Sequence, residues 1–189
     1  MKIYTALGDT GQTDLLGERV EKDDPRIDIL GAIDETTSAI GLGRAHSQLE
    51  TTGPRLITAQ RDLYKIMAEL AFTPDLLPNA YRFEADRVGW LEAEIEAVTA
   101  SVELPREFVL AGETVSGAAL DVARTVARRA ERQAVALARA GVITNGEILR
   151  YLNRLSSLLF ILARAEDLHQ EARIRVAREA GKASSADQP

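Results

Sequence analysis

The sequence predicts an all-α protein, a five-helix bundle with up-and-down connections. Three observations support this fold class. Apolar residues recur three and four positions apart in five long segments, which is typical of amphipathic helices. Short connections containing glycine or proline separate these segments, and no segment shows a convincing strand alternation. The 189 residues are enough for one domain with its own hydrophobic core.

Residues 1–24 precede the first helix and are expected to form an irregular loop. Gly8, Gly11 and Gly17 permit positive φ, and the hydroxyl and amide side chains between them could line an anion cavity. The segment is not a Walker A loop, because no Gly-Lys-Ser/Thr sequence ends it. A plain surface loop explains the same pattern equally well.

The first helix is predicted to begin at Asp24, its N-cap, with Pro25 in the first turn, and to extend to about Gln48. Asp34 falls at the edge of the apolar face of this helix. A carboxylate there needs either water or a basic partner, because an unpaired buried charge is costly. An arginine from elsewhere and simple exposure at the rim are both open interpretations.

Two more amphipathic helices are expected at about 54–71 and 81–101, with a loop at 74–79 between them. The only tryptophan, Trp90, is interpreted as core or interface packing rather than as a platform for a ligand. A short connector then follows, with a large apolar side chain at Phe108.

The fourth helix is predicted at about 114–140 and the fifth from near Gly146 to about Ala180. Asn153 lies on the fifth helix beside apolar residues, where its amide needs hydrogen-bond partners. The predicted domain organisation is an N-terminal segment at 1–24, a bundle at 25–180 that forms one domain with it, and a disordered polar tail at 181–189.

An arginine-rich stripe distinguishes the fourth helix. Arg124, Arg128 and Arg132 are four residues apart and Glu131 is three residues after Arg128, so all four share one helix face. Each guanidinium is a planar fork of donors suited to carboxylate or phosphate oxygens. A solvated helix face with ion pairs between its own side chains would explain the stripe taken alone. An anion-binding site would also explain why arginines are concentrated in one segment of an acidic chain.

The composition excludes several classes of function. The net charge of −6 and the aromatic content of 5% argue against a nucleic-acid binder. The absence of cysteine excludes disulfides and thiolate chemistry. No apolar run approaches the roughly 20 residues of a membrane span, and the N-terminus has no signal-like segment, so a cytoplasmic location is the default expectation.

A carboxylate-bridged di-iron site in a helical bundle needs two Glu-x-x-His motifs and two more glutamates. Glu166 and His169 have the Glu-x-x-His spacing of ferritin-like di-iron bundles. The only other histidine, His46, has Gly43 three residues before it instead of a glutamate. No metal site formed by side chains is therefore predicted.

Several specific motifs occur in order between residues 4 and 164. They are Thr5-x-x-Gly8-Asp9-x-Gly11-x-Thr13, Arg19-Val20-x-Lys22-Asp23-Asp24-x-Arg26-Ile27, Asp34-Glu35, Ser38-x-Ile40-Gly41, Glu69-Leu70-Ala71, Phe108-x-Leu110-x-Gly112, Ala123-Arg124-Thr125-x-x-Arg128-Arg129-Ala130-Glu131-Arg132 and Tyr151-Leu152-Asn153-Arg154-Leu155-Ser156, with Leu159-Phe160 and Ala163-Arg164. With these motifs the chain resembles the PduO-type ATP:cob(I)alamin adenosyltransferases over nearly the whole domain.

The resemblance implies a homotrimer with active sites between neighbouring subunits. It implies transfer of the 5′-deoxyadenosyl group of ATP to the cobalt of cob(I)alamin, with Mg²⁺ held mainly by the ATP phosphates. In this chemistry the corrinoid supplies the nucleophile and the protein supplies position and electrostatics, so no general base is needed. A corrinoid reductase and an adenosylcobalamin-dependent enzyme are possible partners on the same basis.

The resemblance also assigns residues. Arg128, Lys22 and Phe108 are expected to be catalytic, with Phe108 on the lower face of the corrin, and Asp34 is expected to pair with Arg124 across the subunit interface. The residues expected to bind ATP are Thr5, Ala6, Leu7, Gly8, Thr13, Asp14, Lys22, Arg128, Arg129, Ala130, Glu131, Arg132 and Asn153.

The chain departs from the family pattern near the nucleotide loop and the corrinoid side. The departures are Ala6, Thr36-Thr37, Ala111-Gly112-Glu113, Asp121 and Ser157. They motivate an alternative, in which a trimer of the same fold binds nucleotide and cobalamin as a sensor or escort with weak or no turnover. A structural bundle whose arginines pair at the surface is a third interpretation.

Overall fold

The computed structural model describes residues 3, 4 and 6–178, and within them five long helices form a bundle, as predicted. The helices are α1 (Pro25–His46), α2 (Thr52–Ala71), α3 (Ala85–Thr99), α4 (Val115–Arg139) and α5 (Gly146–His169). Short 3₁₀ turns at Pro74–Leu76 and Asn79–Tyr81 lie in the connection between α2 and α3. No helix in the described part of the chain is long and apolar enough to cross a membrane.

Side-chain caps define where three of the helices begin. The Oδ1 atom of Asp24 accepts the backbone N–H of Arg26 at 2.9 Å and so caps α1 at the predicted residue. Hydrogen bonds from Arg26 also lower the pKa of Asp24. Thr114 caps α4 through the N–H of Gly117, and Asn145 caps α5 through the N–H of Glu147.

The core forms where α4 and α5 pack on each other, with α1 against α4 and α3 against α5. The inner face of α4 is made largely of alanines, and four of them are fully buried: Ala123, Ala127, Ala130 and Ala134. Small side chains let the neighbouring helices approach closely. At Gly43 of α1, an added Cβ would lie 2.7 Å from the Cδ2 atom of Leu120 on α4.

Residues 1–24 contain regular structure that the sequence did not predict. Strands β1 (Gln12–Asp14) and β2 (Arg19–Glu21) form an antiparallel hairpin, in register Thr13 to Val20. The hairpin docks on the end of α2 through backbone hydrogen bonds between Leu16 and Ala71 and between Thr73 and Leu16. Strands of three residues are too short to give a period-two signal, which is why an irregular loop was expected.

The predicted end of the fifth helix was wrong, because α5 stops at His169 rather than near Ala180, which lies outside the described residues. Glu171 adopts φ 58°, its N–H donates to the carbonyl of Leu168, and Ala172 N–H donates to the carbonyl of Asp167. This pair of hydrogen bonds is a Schellman motif. The motif usually has glycine where Glu171 stands, so the sequence gave no stop signal. The tail at 181–189 also lies outside the described residues.

Candidate functional site

A groove between α4 and α5 brings together most residues of the arginine stripe. Its volume is 390 Å³, and its lining residues are Arg128, Glu131, Arg132, Val135, Arg139 and Asn153. The five residues from α4 follow one another at steps of three, one, three and four positions, so the helix presents them on one face. Three arginines face one glutamate there, which makes the groove a cationic surface on an acidic chain.

Asn153 is fixed in the groove by two hydrogen bonds. Its Nδ2 atom donates to Oε1 of Glu131 at 2.8 Å, and its Oδ1 atom accepts from Nη1 of Arg154 at 2.8 Å. Arg154 is in turn paired with Glu92 of α3 at 3.0 Å. The amide that the sequence left in need of partners therefore has them on both sides.

Arg128 and Arg132 are exposed, and within residues 6–178 neither forms a hydrogen bond or an ion pair. Their guanidinium donors are therefore available to an anion. An exposed arginine without a partner is not needed to hold the bundle together, and two of them on one groove are typical of an oxyanion-binding surface.

Two residues expected to bind ATP have other surroundings in the chain. Arg129 points away from the groove, and its Nη2 atom lies 2.5 Å from Oε2 of Glu35 on α1. Ala130 is fully buried in the core. Successive residues on a helix are separated by 100°, so the run from Arg128 to Arg132 is divided between the groove, α1 and the core.

The N-terminal hairpin forms a second cluster of predicted site residues. Nζ of Lys22 donates to the carbonyl of Gly8 at 2.8 Å, so the loop folds back on the base of β2. Arg19 donates to the carbonyl of Leu7 at 2.7 Å and to Oδ1 of Asp14 at 2.9 Å. Arg19 is not among the predicted site residues, yet its bonds hold Leu7 and Asp14 together.

Three more expected ATP ligands belong to this segment. Thr13 is half-buried in β1, and Ala6 has the unusual positive φ of 61°. Thr5 lies outside the described residues. In the described part of the chain no hydrogen bond or ion pair joins Lys22 to the groove, so one chain carries the two clusters separately.

The two residues expected at a subunit interface do not pair within the chain. Asp34 is exposed on α1 and has no hydrogen bond or ion pair among the described residues. Arg124 donates from Nε to Oδ1 of Asp121 at 2.9 Å. Asp121 also accepts from Arg164 at 2.6 Å, so it links the surface arginine to a buried one.

Phe108 lies on the connector before α4, and 79% of its surface is exposed. Its ring is therefore not oriented by packing, but its backbone is held. The carbonyl of Phe108 accepts from Ala177 N–H at 2.8 Å, and the N–H of Leu110 donates to Arg175 at 2.9 Å.

A larger cavity of 670 Å³ lies elsewhere, between the N-terminal end of α1, the 72–84 connection and the turn between α4 and α5. None of the predicted site residues lines it. Its carboxylate from Glu69 already accepts from Asn145 at 3.0 Å and from Phe83 N–H at 2.5 Å. The larger volume of this cavity does not make it the better candidate for an anion site. The arginine donors without partners among the described residues line the groove between α4 and α5 instead.

Known proteins resemble this chain over most of its length. Residues 3–166 match the family model described as cobalamin adenosyltransferase. The chain is 39% identical over 168 residues to a corrinoid adenosyltransferase of Bacillus subtilis, covering 87% of this chain and 86% of that protein. It is also 39% identical over 179 residues to the corrinoid adenosyltransferase PduO of Salmonella typhimurium, covering 93% of this chain and 53% of that protein.

The fold is similar to solved structures as well. One is a phenylalanine-to-alanine variant of the PduO-type ATP:corrinoid adenosyltransferase from Lactobacillus reuteri, complexed with cobalamin and ATP. It superposes with a TM-score of 0.87 at 34% identity, covering 94% of this chain and all of that one. An arginine-to-lysine variant of the enzyme from the same organism, complexed with ATP, has a TM-score of 0.82 at 32% identity, covering 93% of this chain and all of that one.

Proposed function

The chain belongs to the cobalamin adenosyltransferase family, and we propose that it transfers the 5′-deoxyadenosyl group of ATP to the cobalt of cob(I)alamin and releases triphosphate. The observation that carries this proposal is the groove between α4 and α5. Arg128 and Arg132 present free guanidinium groups there, beside the fixed amide of Asn153. A polyanionic chain of phosphates matches this set of donors.

The arginines act mainly on the leaving group. Cobalt(I) supplies an electron pair to C5′, and the electrons of the C5′–O5′ bond leave with triphosphate. Negative charge therefore grows on the triphosphate as the bond breaks, and donors aimed there stabilise the transition state more than the ground state. No proton is transferred in this step, so a general base is not required.

Lys22 completes the phosphate site from the hairpin. Its ammonium group is exposed and bonds only to the Gly8 carbonyl among the described residues, a partner that a phosphate oxygen can replace. The hairpin and the groove are separate in one chain, so we propose that the hairpin of one copy covers the groove of the next. A homotrimer in which Asp34 of one copy meets Arg124 of another fits this arrangement.

Phe108 is assigned to the corrinoid. An exposed aromatic ring on a fixed backbone can cover the lower face of the macrocycle and exclude an axial ligand. A four-coordinate corrinoid is the easier one to reduce to cobalt(I). The role of the protein is then steric, while the redox chemistry belongs to the corrinoid.

The remaining parts of the proposal concern Mg²⁺, the electron donor for the corrinoid and the cellular location of the protein. The described residues contain no group of three or more His, Cys, Asp or Glu side chains that could hold a metal ion. We propose that Mg²⁺ is held mainly by the phosphates of ATP, because this hard cation keeps several waters and commonly binds through substrate phosphates. A corrinoid reductase as electron donor, an adenosylcobalamin-dependent enzyme as recipient and a cytoplasmic location remain predictions.

The test is an anaerobic incubation of the protein with ATP, Mg²⁺ and chemically reduced cobalamin, with product formation followed by absorbance. We expect adenosylcobalamin and triphosphate in equal amounts. ATP binding without turnover would instead support the sensor or escort alternative. Absence of both ATP binding and turnover would leave only a structural bundle.

A further inference from the structure

The chain beyond α5 returns to the connector that carries Phe108. Residues 172–178, called the return segment here, follow the Schellman turn at Glu171. They were expected to continue the fifth helix. Instead Val176 forms an antiparallel bridge with Val109, directly after Phe108.

Two backbone hydrogen bonds flank this bridge. Ala177 N–H donates to the carbonyl of Phe108 at 2.8 Å, and Leu110 N–H donates to the carbonyl of Arg175 at 2.9 Å. The start of the return path is also held, because Nε2 of Gln170 lies 2.7 Å from Oγ of Ser116 on α4. The connector is thus fixed on both sides of Val109.

This pairing determines how the Phe108 ring is presented. Side chains alternate between the two faces of an extended segment, so Phe108 and Leu110 lie on one face and Val109 on the other. A slip by one residue would send Phe108 to the opposite face. Phe108 is 79% exposed, so it has no packing of its own to choose the face.

We propose that the return segment is a positioning element for Phe108, and that the bond from Ala177 to the Phe108 carbonyl sets the register in which the ring meets the corrinoid. Ala177 touches neither substrate in this arrangement and acts through Phe108. The inference rests on the proposed function, specifically on the role of Phe108 at the corrin face.

The test compares Ala177→Pro with Ala177→Ser. Proline removes the N–H that donates to Phe108, whereas serine keeps it. With ATP and cob(II)alamin bound, we expect Ala177→Pro to lower the ratio of four-coordinate to five-coordinate corrinoid, read spectroscopically, by about fivefold. That ratio corresponds to one net hydrogen bond of about 1 kcal/mol. Ala177→Ser should keep the wild-type ratio, and both variants should keep wild-type affinity for ATP.

Phe108→Ala separates the two levels of the proposal. If Phe108→Ala leaves the four-coordinate fraction unchanged, the proposed role of Phe108 fails. If Phe108→Ala lowers this fraction and Ala177→Pro does not, the positioning role fails while the proposed function stands. If Ala177→Pro does not fold, two truncated proteins are compared instead, one that ends at Ala172 and one that ends at Arg178. Loss of the four-coordinate corrinoid only in the shorter protein supports the positioning role of the return segment. Equal loss in both truncated proteins overturns that role.

Discussion

Replacement of Arg128 by alanine should show what this side chain contributes to turnover without a large change in the stability of the fold. The side chain is exposed and has no hydrogen bond or ion pair within residues 6–178, so its removal leaves no buried group unsatisfied. We expect the free energy of unfolding to change by no more than about 0.5 kcal/mol. The loss of a preorganised donor to the leaving triphosphate should lower turnover about 100- to 1,000-fold, which is about 2.7–4 kcal/mol of transition-state stabilisation.

The assay is the anaerobic reaction with reduced cobalamin and saturating ATP, combined with urea unfolding of the same preparations. Arg150→Ala is the matched control, because Arg150 is an exposed arginine on α5 whose only partner among the described residues is Glu147. It should keep turnover within about twofold, since an exposed ion pair contributes 1 kcal/mol or less to folding and nothing to this groove. An Arg128→Ala variant with turnover within fivefold of wild type would refute the assignment to triphosphate.

Three further predictions concern assembly and stability. Asp34→Asn should weaken association of the subunits, and sedimentation at several concentrations will measure this; an unchanged trimer would dispose of the proposed pair. Gly117→Ala should lower the free energy of unfolding by about 1–3 kcal/mol, because the new Cβ would lie 2.1 Å from Oδ1 of Asp167 on α5. Gly89→Ala is the control, because the space around Gly89 is open and no such loss is expected. The pKa of Asp24 is lowered in the fold, so its contribution to stability is present above the ordinary value of 3.8 and is lost as the pH falls through the folded value. Asp24→Asn should therefore reduce the acid dependence of unfolding below about pH 4, and an unchanged acid limb would contradict this.

The beginnings of α1, α4 and α5 could be predicted from the sequence because each has a local side-chain cap, whereas α3, which has none, begins at Ala85 rather than near residue 81. Asp24 and Asn145 each accept a backbone N–H two residues later, an interaction that depends on neighbours in the chain. The end of α5 could not be predicted in the same way. A glutamate at φ 58° carries no local signal, and it is held there by the two hydrogen bonds of the Schellman turn.

The candidate site shows the same division. Helical spacing was enough to place Arg128 and Arg132 on one face of α4, whereas Asn153 of α5 was linked to them only through the family resemblance. It was not enough to separate Arg129 from them, because its direction depends on which face of α4 packs against α1 and its Glu35. The link between Phe108 and the return segment could not be predicted from the sequence. It joins residues far apart in the chain through backbone N–H and carbonyl groups, which nearly every residue type has.

The alanine face of α4 has a consequence for how the arginine groove can change. Ala123, Ala127, Ala130 and Ala134 are spaced at three or four residues and are fully buried, directly behind the arginines. An added methyl group on that face would overpack the core, and any shift of the α4 backbone that relieves the strain would move the guanidinium groups with it. The groove-facing and core-facing sides of α4 therefore constrain each other, and we expect substitutions at these buried alanines to change the affinity of the groove for ATP.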